Sequence, residues 1–389
     1  MKDLTKLKIV FFLKFCAEAM FIPFLALYYK SLGFNEAIIG VFLAIPPIVG
    51  ITLTPIYSII CKNVKITKMV FSFISIIELL CMYLFFKLTS FYNLLFVAIL
   101  FNVFHANNFG LVEAFSSVCA NNNNTDYSKI RVYGSFAYVI GLTLSGFITR
   151  IGSFFIATVI SMVLTVIAII FSFYLKVDTK ESSIEKRNVK NLLKNKNFYL
   201  FVIFFMIYVG SMNVGDDFFS TYLKETKGIS NDIFGYIWAS FILVEALVII
   251  FLYSMKKKIK FRHLYMIAII LSILRFFISA LGAPLPLIII FGLTRGITWG
   301  IHAYLFGQYI VYITGKSNGG LAIMISSMVI NIYQASLKVL LGKLIDLTSY
   351  YIFYLLLSYL LIFSFIFFFV VYKKNEYANN NETLNEIKW

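Results

Sequence analysis

Charged side chains stand inside long apolar stretches of this chain, and any chemistry must begin with them. The stretch Phe101–Phe147 carries Glu113 in its first apolar segment and Arg131 at the entry to its second. An ionised group in hydrocarbon is costly, so such residues face a partner or a watery cavity. Glu113 and Arg131 are therefore read as two walls of a solute site, with the neighbouring amides of Asn107 and Asn108 as further polar contacts. Arg131 alone also suits a charged anchor at a membrane surface, and the asparagines also suit interhelical glue. Trp299 and Trp238 could stack on a ring, although packing or a lipid-facing role serves an indole equally well.

A second set lies further along. Glu245, Arg275 and Arg295 fall near the middle of three consecutive apolar segments, which predicts a charge network at one depth. Glu245 is the candidate carrier of a coupled proton, with Arg275 and Arg295 altering its hold on it; a purely structural ion network is the competing reading. Asp216 and Lys338 are expected to form a salt bridge, with the adjacent Asp217 as a substitute acid. Lys14 and Glu18, four apart, share a helix face, so Glu18 either lines the cavity or is neutralised by Lys14. Glu78 has no evident partner in the sequence. His105 and His302 could relay protons near neutral pH, or simply pack.

The elements that position these groups are membrane helices. The chain has 389 residues, is 60% hydrophobic and 13% charged, and has a mean hydropathy of +0.87. A soluble protein would carry about 25% charged residues. At about 20 apolar residues per crossing, twelve spans follow, at roughly 8–30, 38–60, 68–87, 91–118, 131–149, 153–176, 198–223, 233–255, 263–282, 286–312, 320–342 and 350–372. The runs lack the alternation of barrel strands. Basic residues set the orientation. With both termini inside, cytoplasmic segments hold 24 Lys and Arg against 6 outside, which accounts for the net charge of +16 without nucleic acid. Cys16, Cys61, Cys81 and Cys119 lack metal spacing, so neither a disulfide framework nor a metal site is expected. The first apolar run lacks a small-residue cleavage site. Abundant Phe, Ile, Asn and Lys suggest an AT-rich bacterium, hence its inner membrane.

The longest polar connection, Val177–Asn197, divides the spans six and six. The expected organisation is an N-terminal bundle (1–176), a cytoplasmic linker (177–197), a C-terminal bundle (198–372) and a solvated tail (373–389). The halves echo each other: FLALYYKSLGFNEAIIGVFLA and FFSTYLKETKGISNDIFGYIWA share a lysine, Gly33 or Gly228, and then Gly40 or Gly235. Repeated halves suit a carrier that rocks one bundle against the other around a midplane site. All six prolines lie in spans 1, 2 and 10, and the Pro46-Pro47 pair suggests a bent gating helix or a static kink.

These features resemble the major facilitator superfamily, and within it the proton-symporter branch of 3-phenylpropionate transporters and lactose permease. DYSKIRVYGSFAYVIGLTLSG (Asp126–Gly146) is similar to the former; VEAF (Val112–Phe115) matches the latter. FGYIWASFILVEALVIIF (Phe234–Phe251) and Leu274-Arg275 resemble both. The resemblance implies that Glu113 and Arg131 bind sugar, that Tyr138 replaces a stacking tryptophan, and that Glu245 and Arg275 serve substrate and proton coupling. It also implies that Asp216 pairs with a span 11 lysine, the candidate Lys338 falling about two turns late. Arg295 stands where the relatives have histidine and Thr298 where lactose permease has a proton-carrying glutamate. The loop YSIICKNVKITK lacks the usual aspartate.

The sequence thus predicts an all-α membrane protein of twelve helices in two pseudo-symmetric six-helix bundles. The expected function is proton-coupled symport of a sugar, nucleoside or aromatic or organic acid by alternating access, by a monomer with no cofactor beyond the proton gradient. Efflux by antiport is the alternative. A membrane-embedded transferase using His105 or His302 is a remote one, since no acid lies three or four residues from either histidine.

Overall fold

In lipid a chain must satisfy its own backbone, and a helix does so locally. Twelve helices long and apolar enough to cross a membrane result: Leu4–Ser31, Glu36–Leu53, Lys65–Lys87, Phe91–Glu113, Ile130–Ile151, Phe154–Phe173, Lys196–Asp217, Asn231–Ser254, Phe261–Ala280, Leu285–Thr314, Asn318–Leu347 and Tyr350–Val370, here spans 1 to 12. The computed structural model describes residues 3–61, 64–106, 108, 110–113, 116, 128–151, 153–174, 192, 194–255 and 261–376, and no strand occurs among them. Asn107, the run Asn121–Asn124, most of the 177–197 linker and the tail beyond residue 376 lie outside the described residues.

Packing divides the chain into two compact units, Met1–Ser182 with Ser220–Ile242, and Ser183–Phe219 with Leu243–Trp389. The stretch Ser220–Ile242 thus packs with the first unit although it follows the linker.

In the first unit span 1 packs against spans 5 and 6. Small residues on span 5 permit this approach. A Cβ on Gly141 would lie 2.5 Å from the Cys16 carbonyl oxygen, and one on Gly134 would lie 2.8 Å from the Phe15 ring. Ser145 Oγ donates to the Met20 carbonyl at 2.8 Å and Ser161 Oγ to that of Ala17 at 2.7 Å, tying both helices to span 1. Phe11, Phe15, Phe71, Val112 and Ile130 form the core beneath.

Span 3 shows how periodicity aims a charged residue. Met69, Phe73, Ile76 and Leu80 are all more than half exposed and recur at helical spacing, forming a face for lipid. Ser72, Ser75 and Glu78 lie on the other side and are buried. The lipid-facing stripe therefore fixes Glu78 inward.

In the second unit span 7 packs against spans 11 and 12, and span 9 against span 12. Gly210 and Gly215 let the rings of Tyr333 and Phe276 close on the backbone. Phe204, Phe205, Tyr208, Tyr265 and Phe368 form an aromatic core.

Several spans are broken, and hydropathy alone does not show where. Span 1 passes through a 3-10 turn, Ile22–Phe24, at Pro23. The helix Glu36–Ile60 runs through Pro46-Pro47 without interruption. Span 7 ends at Asp217, and after Phe218 a short helix, Phe219–Lys227, follows. Span 10 consists of Leu285–Gly292 and Thr294–Thr314, with its break at Leu293 rather than at a proline. The repeated glycines of the two halves share a backbone state: Gly33 has φ 85° and Gly228 φ 62°. A side chain is disfavoured in that left-handed region, which explains why both halves keep glycine there.

Candidate functional site

Three groups of ionisable residues within the spans are each assembled from different helices, beside the ion pairs Lys30–Glu36 and Arg150–Asp232. The first is Glu113 and Arg131. Glu113 lies on span 4 and Arg131 in the first turn of span 5. Arg131 Nε lies 3.1 Å from Glu113 Oε1, and both side chains are 37% exposed. Arg131 Nη1 reaches Ser135 Oγ one turn on at 3.4 Å, and its guanidinium lies 4.8 Å from the Phe15 ring centroid. Acceptor and donor are thus fixed side by side and still accessible, as a polyhydroxylated ligand requires. Tyr138, two turns along span 5, packs against the core of the first unit.

The second group joins Lys14 and Glu18 of span 1, Glu78 of span 3, and His105 and Asn108 of span 4. Lys14 Nζ lies 3.1 Å from both Glu78 oxygens and 3.8 Å from Glu18. His105 Nδ1 is 2.8 Å from Glu78 Oε1 and Nε2 is 3.0 Å from Glu18 Oε1. Asn108 Nδ2 donates to Glu78 and, at 3.0 Å, to Ser75 Oγ. Three expectations change here. Glu78, apparently solitary in sequence, has a lysine, an imidazole and an amide around it. His105 is part of a charge cluster rather than a lone packing residue. Asn108 is buried, its Nδ2 engaged inside the unit and its Oδ1 without a hydrogen-bond partner. The signal was the cost of an isolated charge, which predicts that unpaired groups on different spans find each other; separations of 27 and 64 residues hid the pairing.

Glu18, Glu78 and His105 place three ligand-type atoms within 4.8 Å of one another, a metal-like grouping. The Lys14 ammonium already supplies a cation against both carboxylates, and a metal ion would be repelled by it.

The third group belongs to the second unit. Asp216 is its hub: Oδ1 lies 2.8 Å from Arg275 Nη2, and Oδ2 accepts from Arg295 Nε at 3.0 Å and Trp299 Nε1 at 2.9 Å. Arg295 Nη1 also donates to Glu245 Oε2 at 3.0 Å. Lys338 pairs with Asp217, at 2.6 Å, instead of Asp216. Adjacent helical residues point about 100° apart, so Asp216 faces spans 9 and 10 while Asp217 faces span 11. The network of Glu245, Arg275 and Arg295 is real but differs from the expectation: Arg275 sits on Asp216, and Arg295 joins the two acids. The break in span 10 places Arg295 in the first turn of its second segment.

The indole N–H of Trp299 is held by Asp216, while Trp238 stacks on Phe234 and is 8% exposed. His302 corrects the proposed network. Among the described residues it makes ring contacts with Phe205, Phe306 and Trp299, and no ion pair. Its Nδ1 is buried without a hydrogen-bond partner.

Comparison with known proteins now bears on this arrangement. The family description MFS_1 like family matches residues 4–336. The chain belongs to that family. It is a major facilitator, as the twelve-span fold indicates. The fold is similar to that of a point mutant of the nucleoside transporter NupG, with a TM-score of 0.82 at 18% identity over 95% of this chain and 100% of that one. A POT family transporter in complex with a thioalcohol-conjugated peptide gives 0.72 at 15% identity over 95% and 96% of the two chains. In sequence, the facilitator is 23% identical over 181 residues to the sucrose permease of Escherichia coli, a match spanning 44% of each chain. This facilitator therefore aligns with less than half the length of that curated relative.

Proposed function

We propose that the protein is a secondary active transporter of a neutral, hydroxyl-rich solute, a sugar or a nucleoside, driven by protons. The observation that carries this reading is the pairing of three arginines with carboxylates: Arg131 with Glu113, Arg275 with Asp216, and Arg295 with Asp216 and Glu245. A paired guanidinium offers donors without a net positive charge, and its carboxylate offers acceptors beside them. Hydroxyl groups use both, whereas an organic anion needs a cation in excess. Similarity to proteins named as a sucrose permease and a nucleoside transporter supports the same class. The bias of basic residues supports placement in a bacterial cytoplasmic membrane with both termini inside, and a monomer suffices for this design.

The test is counterflow in proteoliposomes holding the purified full chain, with labelled sucrose, uridine and 3-phenylpropionate, with and without an imposed pH gradient. Exchange of sucrose or uridine, concentrated by inward acidic-to-neutral gradients, is the expected result. Exchange of 3-phenylpropionate alone would overturn the neutral-solute assignment. Accumulation against the opposite gradient would make the protein an exporter.

A further inference from the structure

We propose that the exchangeable proton resides on His105, as an imidazolium bridging Glu18 and Glu78, and that this cluster of spans 1, 3 and 4 is the cation-coupling site. The proposal rests on the transporter reading above and locates its driving ion.

The geometry sets the protonation state. Both ring nitrogens of His105 stand at hydrogen-bond distance from a carboxylate oxygen, 2.8 Å to Glu78 and 3.0 Å to Glu18. A neutral imidazole has one N–H and one lone pair. In that form one carboxylate would face the lone pair. With both carboxylates ionised, only the imidazolium donates to both. The ring is also held in place: it stacks on Phe101 with centroids 4.6 Å apart and planes 15° off parallel.

Charge balance agrees and separates this cluster from the others. Glu113 and Arg131 cancel. In the second unit Asp216, Asp217 and Glu245 are matched by Arg275, Arg295 and Lys338. Fully ionised, those groups need no proton. Around His105, two carboxylates meet one ammonium, Lys14, and the sum is zero only when the cluster holds one further proton. Uncompensated charge in a low-dielectric interior is strongly disfavoured. The remaining neighbours do not alter the count: span 6 contributes the hydroxyls of Ser161 and Thr165, and span 3 the thiol of Cys81 one turn from Glu78. The coupled proton thus moves from Glu245, its expected place, to His105.

Asymmetry within the cluster supplies a route. Glu78 is locked by Lys14, Asn108 and His105, and its side chain is 4% exposed. Glu18, at 12% exposed, is held more loosely by Lys14 at 3.8 Å. The cleft against Glu18, Glu78 and His105 has room for a single water. That excludes an organic solute and admits a proton. Release therefore runs from His105 Nε2 to Glu18 and out to water, leaving the neutral imidazole still donating to Glu78. Reloading reverses these transfers.

The test uses the full chain with ¹⁵N-labelled histidine in lipid nanodiscs without solute, where the three histidines are few enough to assign by substitution. At about pH 7.5, where a free imidazole is mostly neutral, one histidine should show two protonated nitrogens. The His105→Gln variant should lose that signal. Glu18→Gln, which removes one negative charge and keeps the side chain's shape, should convert the signal to a neutral imidazole in a protein that remains folded. A single-N–H spectrum for His105 in the unmodified chain overturns the proposal. So does disappearance of the doubly protonated signal when sodium chloride replaces choline chloride at constant pH, since sodium would then be the ion held. Failure of every solute to exchange would overturn the transporter reading and leave the imidazolium signal standing.

Discussion

At the residue scale, each charged group takes its meaning from the partner that burial forces on it. Glu113 and Arg131 remain accessible, so they are the pair most able to exchange their mutual contact for a solute. Glu113→Gln and Arg131→Lys are each expected to lower counterflow at least about tenfold, since a hydrogen bond to a charged group is worth about 1.5–3 kcal/mol. Steady-state exchange in proteoliposomes measures this directly. Lys14 poses the opposite case. It is 1% exposed and faces Glu78, which is 3% exposed. Removing one member strands a buried charge at a cost of about 3–5 kcal/mol. Lys14→Met should therefore reduce thermal stability in detergent sharply, and the Lys14→Met/Glu78→Gln double variant should recover most of it. Additive losses in that cycle would mean the two groups do not interact. Asp216 and Asp217 are neighbours with different tasks. Asp216→Asn should cost more exchange activity than Asp217→Asn, because it weakens the hold on Arg275, Arg295 and Trp299 together.

At the element scale, helices approach where glycine lets them, and the charged groups register only because of that closeness. Span 1 carries Lys14 and Glu18 on a helix pressed against span 5 at Gly134 and Gly141. The Gly141→Val substitution would drive its Cβ into the Cys16 backbone, which cannot rotate away. Overpacking of this kind costs about 1–3 kcal/mol. The expected outcome is a lower melting temperature together with altered histidine spectra, because span 1 positions Glu18. Gly110, where an added Cβ meets nothing within 4 Å, is the control, with alanine expected to be tolerated. The broken helices matter at the same scale. The ends at Asp217 and Leu293 bring Asp216 and Arg295 to helix termini.

At the scale of the whole molecule, the bias of lysine and arginine predicts one topology. A green fluorescent protein fused after Trp389 should fluoresce, and alkaline phosphatase at the same point should be inactive; the reverse pattern would invert the direction assigned to transport. The spans read from hydropathy agree closely with those of the structure, because a lipid-crossing helix is specified by its own twenty or so residues. The division of the chain is less simple than the hydropathy midpoint. Ser220–Ile242 packs with the first six spans, and span 8 therefore belongs in part to each unit.

The sequence by itself determined that this protein crosses a membrane twelve times, that its halves repeat, and which few ionised groups the lipid would force into partnerships. Those are local properties, set by the solvation of each segment. The partnerships themselves were decided by tertiary structure. Glu78 meets Lys14 and His105, Asp217 takes the lysine expected for Asp216, and His302 has rings in place of charges. A charge must be neutralised in hydrocarbon, but which charge does so depends on helix rotation and close approach, and these arise only when glycine contacts and lipid-facing stripes from separate spans are satisfied together.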